Sequence, residues 1–353
     1  MNSTRRIAFI LCSMKRGGAE RVVSILSNHY SRKGWEVDII LLLSNECEYD
    51  LEENIRIISL ANKERSRIRQ LPSWLTGIRS YFKKYNPETV LSFAARINII
   101  SAIAGIGIKK NFVVSERNDP LLDGRSIFVR ILTNIIYPFT DKVVFQTKKA
   151  QSCFNNRTIK NSKVIYNPVK IDIRAVDVPG KKIVAVGRLE EQKNHKLLIK
   201  AFKNIHNLFP EYKLYIFGEG ALRKSLEKLV EKLDLEDAVL LPGNIKDVHE
   251  KMSDAEIFVL SSNYEGLSNA LLEAMMMGLP CISTDCSGSN EIIKHGENGL
   301  IVPLNNINEL TKAMQELILN KDLAIMLGKE ANLTSKKFES KNVIREWEQV
   351  LEA

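Results

Sequence analysis

The 353-residue chain has no run approaching the ~18 apolar residues that cross a bilayer, so nothing in it reads as a transmembrane helix. Arg5-Arg6 is followed by an apolar stretch, Ile7 to Cys12, too short for a signal peptide and without a small-residue cleavage site; it reads as a first strand. Cysteine is scarce. Cys12, Cys47, Cys153, Cys281 and Cys286 are odd in number and scattered, which predicts reduced thiols and a cytoplasmic setting. Cys281 and Cys286 lie close together, but no second pair supports a zinc site. Also missing are an Asp-x-Asp after a strand to hold Mg²⁺ or Mn²⁺, and the Lys-Ser or Lys-Thr of a P-loop. There are no convincing repeats or low-complexity tracts, and no aromatic-interleaved basic surface of the kind that stacks nucleic-acid bases.

An apolar content of 44% with 26% charged residues is ordinary for a globular protein, and the length predicts two domains of about 150 residues each. The charge is lopsided. Residues 1–170 carry 28 lysines and arginines against 14 acids, net +14, whereas residues 171–353 carry 23 against 28, net −5. A basic first half implies an anionic partner: a membrane surface, a phosphorylated substrate or nucleic acid.

Short apolar runs alternate with amphipathic helical patterns, the signature of α/β layers around parallel sheets. The first half offers strands at 7–11, 37–43, 55–59, 89–92, 112–115, 142–145 and 163–165. The second offers 183–186, 213–217, 239–241, 257–260, 281–284 and 300–302. Each half therefore predicts its own doubly wound sheet. Asn167 to Gly180 carries two prolines and no long helical period, which places the linker there and gives domains of 1–168 and 169–339. Helical patterns at 307–319, 323–333 and 340–351 finish the chain.

One basic segment stands apart. Lys63, Arg65, Arg67, Arg69, Arg79, Lys83 and Lys84 face one acid, Glu64, while Ile68, Leu71, Trp74 or Leu75, Ile78 and Phe82 recur at helical spacing, with Pro72 as a starting residue. An interfacial membrane helix fits this pattern, and so does a core-packed helix with a solvated basic face. A second apolar pattern, Ile127, Phe128, Ile131, Leu132, Ile135 and Ile136, fits either a place beside that segment at the surface or a place in the core, and the core is the expectation.

Five turns carry candidate chemistry. Gly17-Gly18, between the first strand and a helix, permits close approach of backbone to a phosphate. Arg188 and Lys193 follow the first strand of the second half and suit a diphosphate, as a fork and a point charge. Gly218-Glu219-Gly220 supplies two glycines of a dinucleotide fingerprint with Arg223 where the third belongs, so NAD is not expected, and Pro242-Gly243-Asn244-Ile245 offers backbone groups to a base. Finally, the stretch from Ser261 to Ala274 follows a buried strand and opens a helix, placing the amides of Leu267, Ser268 and Asn269 at a helix N-terminus between Glu265 and Glu273. Carboxylates suit sugar or ribose diols, and they also suit solvent.

In this order the motifs resemble the GT4 family of retaining GT-B glycosyltransferases, over nearly the whole chain. The resemblance implies two Rossmann-like domains facing across a cleft, with acceptor on the first, donor on the second and the last helix, 340–353, returned to the first. It implies that Arg188 and Lys193 hold a donor diphosphate, Glu273 the ribose and Glu265 the transferred sugar, while amides near Gly18 and Ser268 meet phosphate. No protein nucleophile is evident, so front-side attack with the leaving phosphate as base is the implied course. Many relatives carry a histidine where this chain has Arg117, in Ser115-Glu116-Arg117-Asn118, so Glu116, Arg117 and Asn118 become acceptor candidates. The resulting expectation is a metal- and cofactor-independent hexosyltransferase using a nucleotide sugar, weighted to UDP. Its acceptor would be a polyprenyl-diphosphate-linked glycan, met at the inner face of the cell membrane through residues 63–84. A non-catalytic anionic-ligand or nucleic-acid binder and a sugar-nucleotide epimerase are the alternatives.

Overall fold

A computed structural model describes residues 5–15, 17–62, 66–108, 110–169, 171, 173–176 and 179–353. The chain divides into two compact units, Met1–Pro168 with Ser340–Ala353, and Val169–Glu339.

The first unit is built on a seven-stranded sheet: β1 (Arg6–Leu11), β2 (Glu36–Leu41), β3 (Arg56–Ser59), β4 (Thr89–Phe93), β5 (Asn111–Glu116), β6 (Lys142–Phe145) and β7 (Ser162–Val164). All neighbours pair in parallel, in the order β3-β2-β1-β4-β5-β6-β7. Side chains alternate between two cores: Ile7, Phe9 and Leu11 point to one, Ala8 and Ile10 to the other. Burial on both faces explains why these strands read as continuous apolar runs. The terminal helix Ser340–Leu351 closes the first core with Trp347, Val343 and Leu351, and Thr89 Oγ1 donates to the Leu351 carbonyl at 2.8 Å.

The second unit holds β8 (Lys182–Val186), β9 (Lys213–Phe217), β10 (Val239–Gly243), β11 (Ile257–Leu260), β12 (Cys281–Thr284) and β13 (Leu300–Val302), again all parallel, in the order β10-β9-β8-β11-β12-β13. The order reverses between β8 and β11. Loops leaving the C-terminal ends of those two strands splay apart there, the place where open α/β sheets take ligands.

Two helical expectations exchange places. The helix Arg67–Tyr85 starts five residues before Pro72, which lies inside it, and its Trp74, Ile78 and Phe82 are buried in the sheet's core. An interfacial role for that apolar face is therefore corrected: it is already spent on packing. Lys63, Glu64 and Arg65, with the side chains of Arg67 and Ile68, lie outside the described residues. Conversely, the helix Ile127–Ile136, expected in the core, buries Val129 and Thr133 but exposes Ile127, Phe128, Ile131 and Ile135. It packs along one side against the helix Ala95–Gly105, through Ala95, Ile99 and Leu132, and its opposite side is left exposed among the described residues. No helix among the described residues is long and apolar enough to cross a membrane.

Candidate active site

The splayed loops of the second unit are stitched together by polar contacts. Asn263 N donates to the Gln192 carbonyl at 2.8 Å, Gln192 Nε2 to the Tyr264 carbonyl at 3.0 Å, and Ser261 Oγ to the Lys193 carbonyl at 2.9 Å. Asn194 sits in the left-handed region and caps the helix His195–Leu208, while its Nδ2 reaches Asn263 Oδ1 at 2.9 Å. This frame sets Lys193 against the opposite loop: Lys193 Nζ donates to Glu265 Oε1 at 2.6 Å, and Ser262 Oγ to the same oxygen at 2.8 Å. Both side chains are largely buried, so the pair is shielded from water and salt. Loading both bonds on Oε1 leaves Oε2 as the carboxylate's remaining acceptor.

Arg188 behaves differently. Its side chain is 62% exposed and pairs with Glu190 at 3.0 Å, an exposed contact that constrains it weakly. The loop beneath it is fixed by backbone. Gly218, at φ +141°, approaches so closely that a Cβ there would lie 2.1 Å from the Gly187 carbonyl oxygen, and Gly187 N donates to the Phe217 carbonyl at 2.9 Å. Only glycine fits that position. A similar close approach supports the Glu265 turn: a Cβ on Gly288 would sit 1.9 Å from the Gly266 carbonyl oxygen.

Beyond Gly266, Leu267 and Ser268 are buried at the start of the helix Asn269–Met277, and Ser268 Oγ accepts from Leu271 N at 3.4 Å as its cap. Glu273 is buried on that helix, with His249 Nε2 3.1 Å from its Oε2. The ring is close enough for an ion pair but makes no well-aligned hydrogen bond. His249 belongs to the short helix Val248–Met252, which follows the Gly243 to Ile245 turn. Gly243 lies at φ +84° and its carbonyl accepts from Gly218 N at 2.9 Å, joining that turn to β9. Arg188, Lys193, Ile245, Glu265, Leu267, Ser268 and Asn269 thus lie on turns or a helix start beyond the C-terminal ends of β8, β10 and β11, with Gly243 at the very end of β10 and Glu273 in the middle of the helix Asn269–Met277.

His249 was not singled out from the sequence. It lies in a polar stretch, Lys246 to Lys251, with nothing in its spacing to mark it. Ser262 stands three residues before Glu265 in the Ser261 to Ala274 stretch, but a serine there signals only a turn.

In the first unit, Gly17 precedes the helix Gly18–Arg32, and its amide donates to Tyr49 Oη at 3.1 Å while Tyr49 Oη donates back to its carbonyl at 2.8 Å. Two acceptor candidates need correction. Glu116 is 1% exposed and its carboxylate is gripped by Arg125 Nη2 at 2.6 Å and by Tyr137 Oη, so it serves the interior. The Arg117 guanidinium donates to the Ile165 carbonyl at 2.9 Å and lies 5.0 Å from the Trp347 ring; burial pulls its pKa down to about 9. It ties β5 to the terminal helix. Asn118 stays half-buried in the loop that follows, its Oδ1 accepting from Asp119 N at 3.1 Å.

Two family models divide the chain: "Glycosyltransferase Family 4" matches residues 16–173 and "Glycosyl transferases group 1" residues 170–334. An uncharacterized glycosyltransferase of Haemophilus influenzae is 27% identical over 98% of this chain and 100% of its own. From Campylobacter jejuni, the N-acetylgalactosamine-N,N'-diacetylbacillosaminyl-diphospho-undecaprenol 4-alpha-N-acetylgalactosaminyltransferase is 27% identical over 97% of this chain and 98% of its own. Among solved structures, Anabaena HepE in complex with UDP and glucose superposes with a TM-score of 0.82 at 18% identity, covering 98% of this chain and 99% of that one.

Proposed function

The chain belongs to the glycosyltransferases of the GT-B fold, and on that premise we propose that it transfers a hexose or N-acetylhexosamine from a UDP-sugar to a polyprenyl-diphosphate-linked saccharide with retention at the anomeric carbon. The observation that carries this reading is the buried Lys193–Glu265 pair at the point where the second sheet reverses its strand order. It sets a cation and a carboxylate side by side, as a sugar diphosphate requires.

In this reading the donor lies along the turns of the second unit. Glu273 accepts from the ribose diol beside His249, and Gly243 and Ile245 face the base. Arg188, exposed and weakly held, swings onto the diphosphate with Lys193, which keeps two of its three N–H donors after serving Glu265. The amides at Leu267, Ser268 and Asn269 add the positive end of a helix. Glu265 Oε2 receives a hydroxyl of the transferred sugar.

As the bond from the anomeric carbon to the phosphate oxygen breaks, negative charge grows on the diphosphate, where the cations and helix dipole are strongest. The acceptor hydroxyl forms its new bond to the anomeric carbon on the same face, and its proton passes to the departing phosphate oxygen. Charge on the leaving group is met by side chains, so the step needs no metal ion. The lipid-linked acceptor is supported by the activity of the Campylobacter relative and the UDP donor by the HepE complex. Work at the cytoplasmic membrane face fits the basic first unit.

Proton NMR of the product formed from an α-linked UDP-sugar tests the chemistry. A new α-linkage on an undecaprenyl-diphosphate saccharide is expected; a β-linkage refutes retention, and transfer only from other nucleotides refutes the donor.

A further inference from the structure

The helix Ile127–Ile136 leaves Ile127 78%, Phe128 65%, Ile131 53% and Ile135 55% exposed, all on one side. Ile106 and Phe139 extend this face at 67% and 73% exposure. Between it and the helix Ala95–Gly105 runs a groove of about 440 Å³ lined by Ile103, Ile106, Ile135, Ile136 and Phe139. Single exposed apolar residues need no explanation, but a contiguous patch with an aromatic at each end marks a binding surface.

The charge around the patch is mainly positive, with Asp141 at one end of the groove as the exception. Arg79 Nη1 donates to the carbonyls of Ala104 and Ile106 at 3.0 and 2.8 Å, the Arg157 guanidinium lies 4.6 Å from the Phe139 ring, and Arg130 Nη2 reaches the Leu121 carbonyl at 3.0 Å. Neither 95–110 nor 124–140 contains an aspartate or glutamate. A second copy of the chain docked by a two-fold axis would set this basic rim against its own image, which like-charge repulsion disfavours. An anionic bilayer matches both parts at once: acyl chains take the isoleucines and phenylalanines, and phosphate headgroups take the arginines.

We infer that the face formed by Ile106, Ile127, Phe128, Ile131, Ile135 and Phe139, with its rim of Arg79, Arg130 and Arg157, docks this protein on an anionic lipid surface. The helix Arg67–Tyr85 contributes charge to that surface rather than an inserted apolar face. The inference gives the membrane-bound acceptor of the proposed function a place of approach, and it rests on that function only for the activity part of the test.

The test uses the full chain carrying Ile127→Ser, Phe128→Ser and Ile131→Ser, and a control carrying Leu208→Ser and Leu319→Ser, exposed positions of the second unit. Flotation with phosphatidylcholine vesicles containing phosphatidylglycerol should show wild type and control bound, and the triple variant bound about a hundredfold less or not at all, since three exposed apolar side chains no longer insert. Binding should weaken in high salt and with phosphatidylcholine alone. Equal flotation of the triple variant overturns the inference. So does a sedimentation result in which wild type is a dimer, the triple variant a monomer and neither binds vesicles. Because the substituted side chains are exposed, melting temperatures should stay close; if the triple variant melts early, Ile131→Glu alone, judged by the same flotation, replaces it. Transfer to a water-soluble acceptor analogue should be unchanged in the triple variant while transfer to a vesicle-embedded acceptor falls. Absence of all transfer with wild-type flotation intact would refute the proposed function and leave the docking face standing.

Discussion

Lys193 Nζ lies 2.6 Å from Glu265 Oε1 across 72 residues of chain, and the contact is made inside a shielded turn rather than in solvent. It joins the loop after β8 to the loop after β11 and makes the two behave as one electrostatic unit.

Removing one member should therefore cost more than removing both. Lys193→Met leaves a buried carboxylate whose cation is gone, a loss of about 3–5 kcal/mol, whereas Lys193→Met with Glu265→Gln should recover much of it. Glu265→Gln alone should lower kcat by about 10²-fold or more, as loss of a group acting at the reacting sugar does. Urea denaturation of the three variants, read as a double-mutant cycle beside initial rates, checks both statements.

Arg188→Ala should separate stability from binding. Its exposed pair with Glu190 is worth under about 1 kcal/mol, so unfolding should barely move. The protection against thermal unfolding that saturating donor confers, roughly 2.7 kcal/mol at 100 times Kd, should disappear. Unchanged protection would remove Arg188 from the diphosphate site.

His249→Ala should raise the donor KM severalfold with kcat nearly constant, because the ring lies beside Glu273, which the proposed function assigns to the ribose and not to the breaking bond. A fall in kcat at constant KM would place His249 elsewhere in the reaction.

Gly288→Ala should be among the most damaging methyl additions in the second unit. The new Cβ meets backbone, the Gly266 carbonyl oxygen, at 1.9 Å, and backbone yields only by moving the Glu265 turn. A loss of about 1–3 kcal/mol is expected from overpacking, with activity falling further than stability. Calorimetry and rates on the same preparation test it.

His195 should make the protein acid-sensitive. The ring is buried and its pKa is lowered from 6.5 to about 4 by burial first and by Lys193 second. Neither nitrogen makes a well-formed hydrogen bond, although backbone at Gly187 and Arg188 is close enough to offset part of the shift. Between these values the unfolded chain takes up a proton that the folded one refuses, so stability is full above about pH 6.5 and falls towards pH 4 by about 3 kcal/mol. Urea melts at both ends of that window should show a smaller acid loss in His195→Gln than in wild type.

All thirteen expected strands are present, and most ends shift by only one or two residues. They were legible because strands buried on both faces must be apolar throughout, and the turns between them need glycine, proline and small polar residues whatever else the chain does. The helices were not sorted so well. Residues 67–85 and 127–136 carry similar apolar periodicity, yet the first is packed against the sheet and the second is half bare. Periodicity reports that a face is apolar; the neighbour that covers it is set by the sheet order.

The sequence by itself determined the two parallel sheets, the turns at the ends of β8, β9, β10 and β11, and the residue types gathered there, because each depends on local backbone preference and alternation. Tertiary structure alone decided that Lys193 meets Glu265, that His249 meets Glu273, that Glu116 and Arg117 turn inward, and that Ile127 and Phe128 face outward. Those outcomes join residues far apart in the chain, or leave them without a neighbour, and only the strand order brings such loops and helices together or keeps them apart.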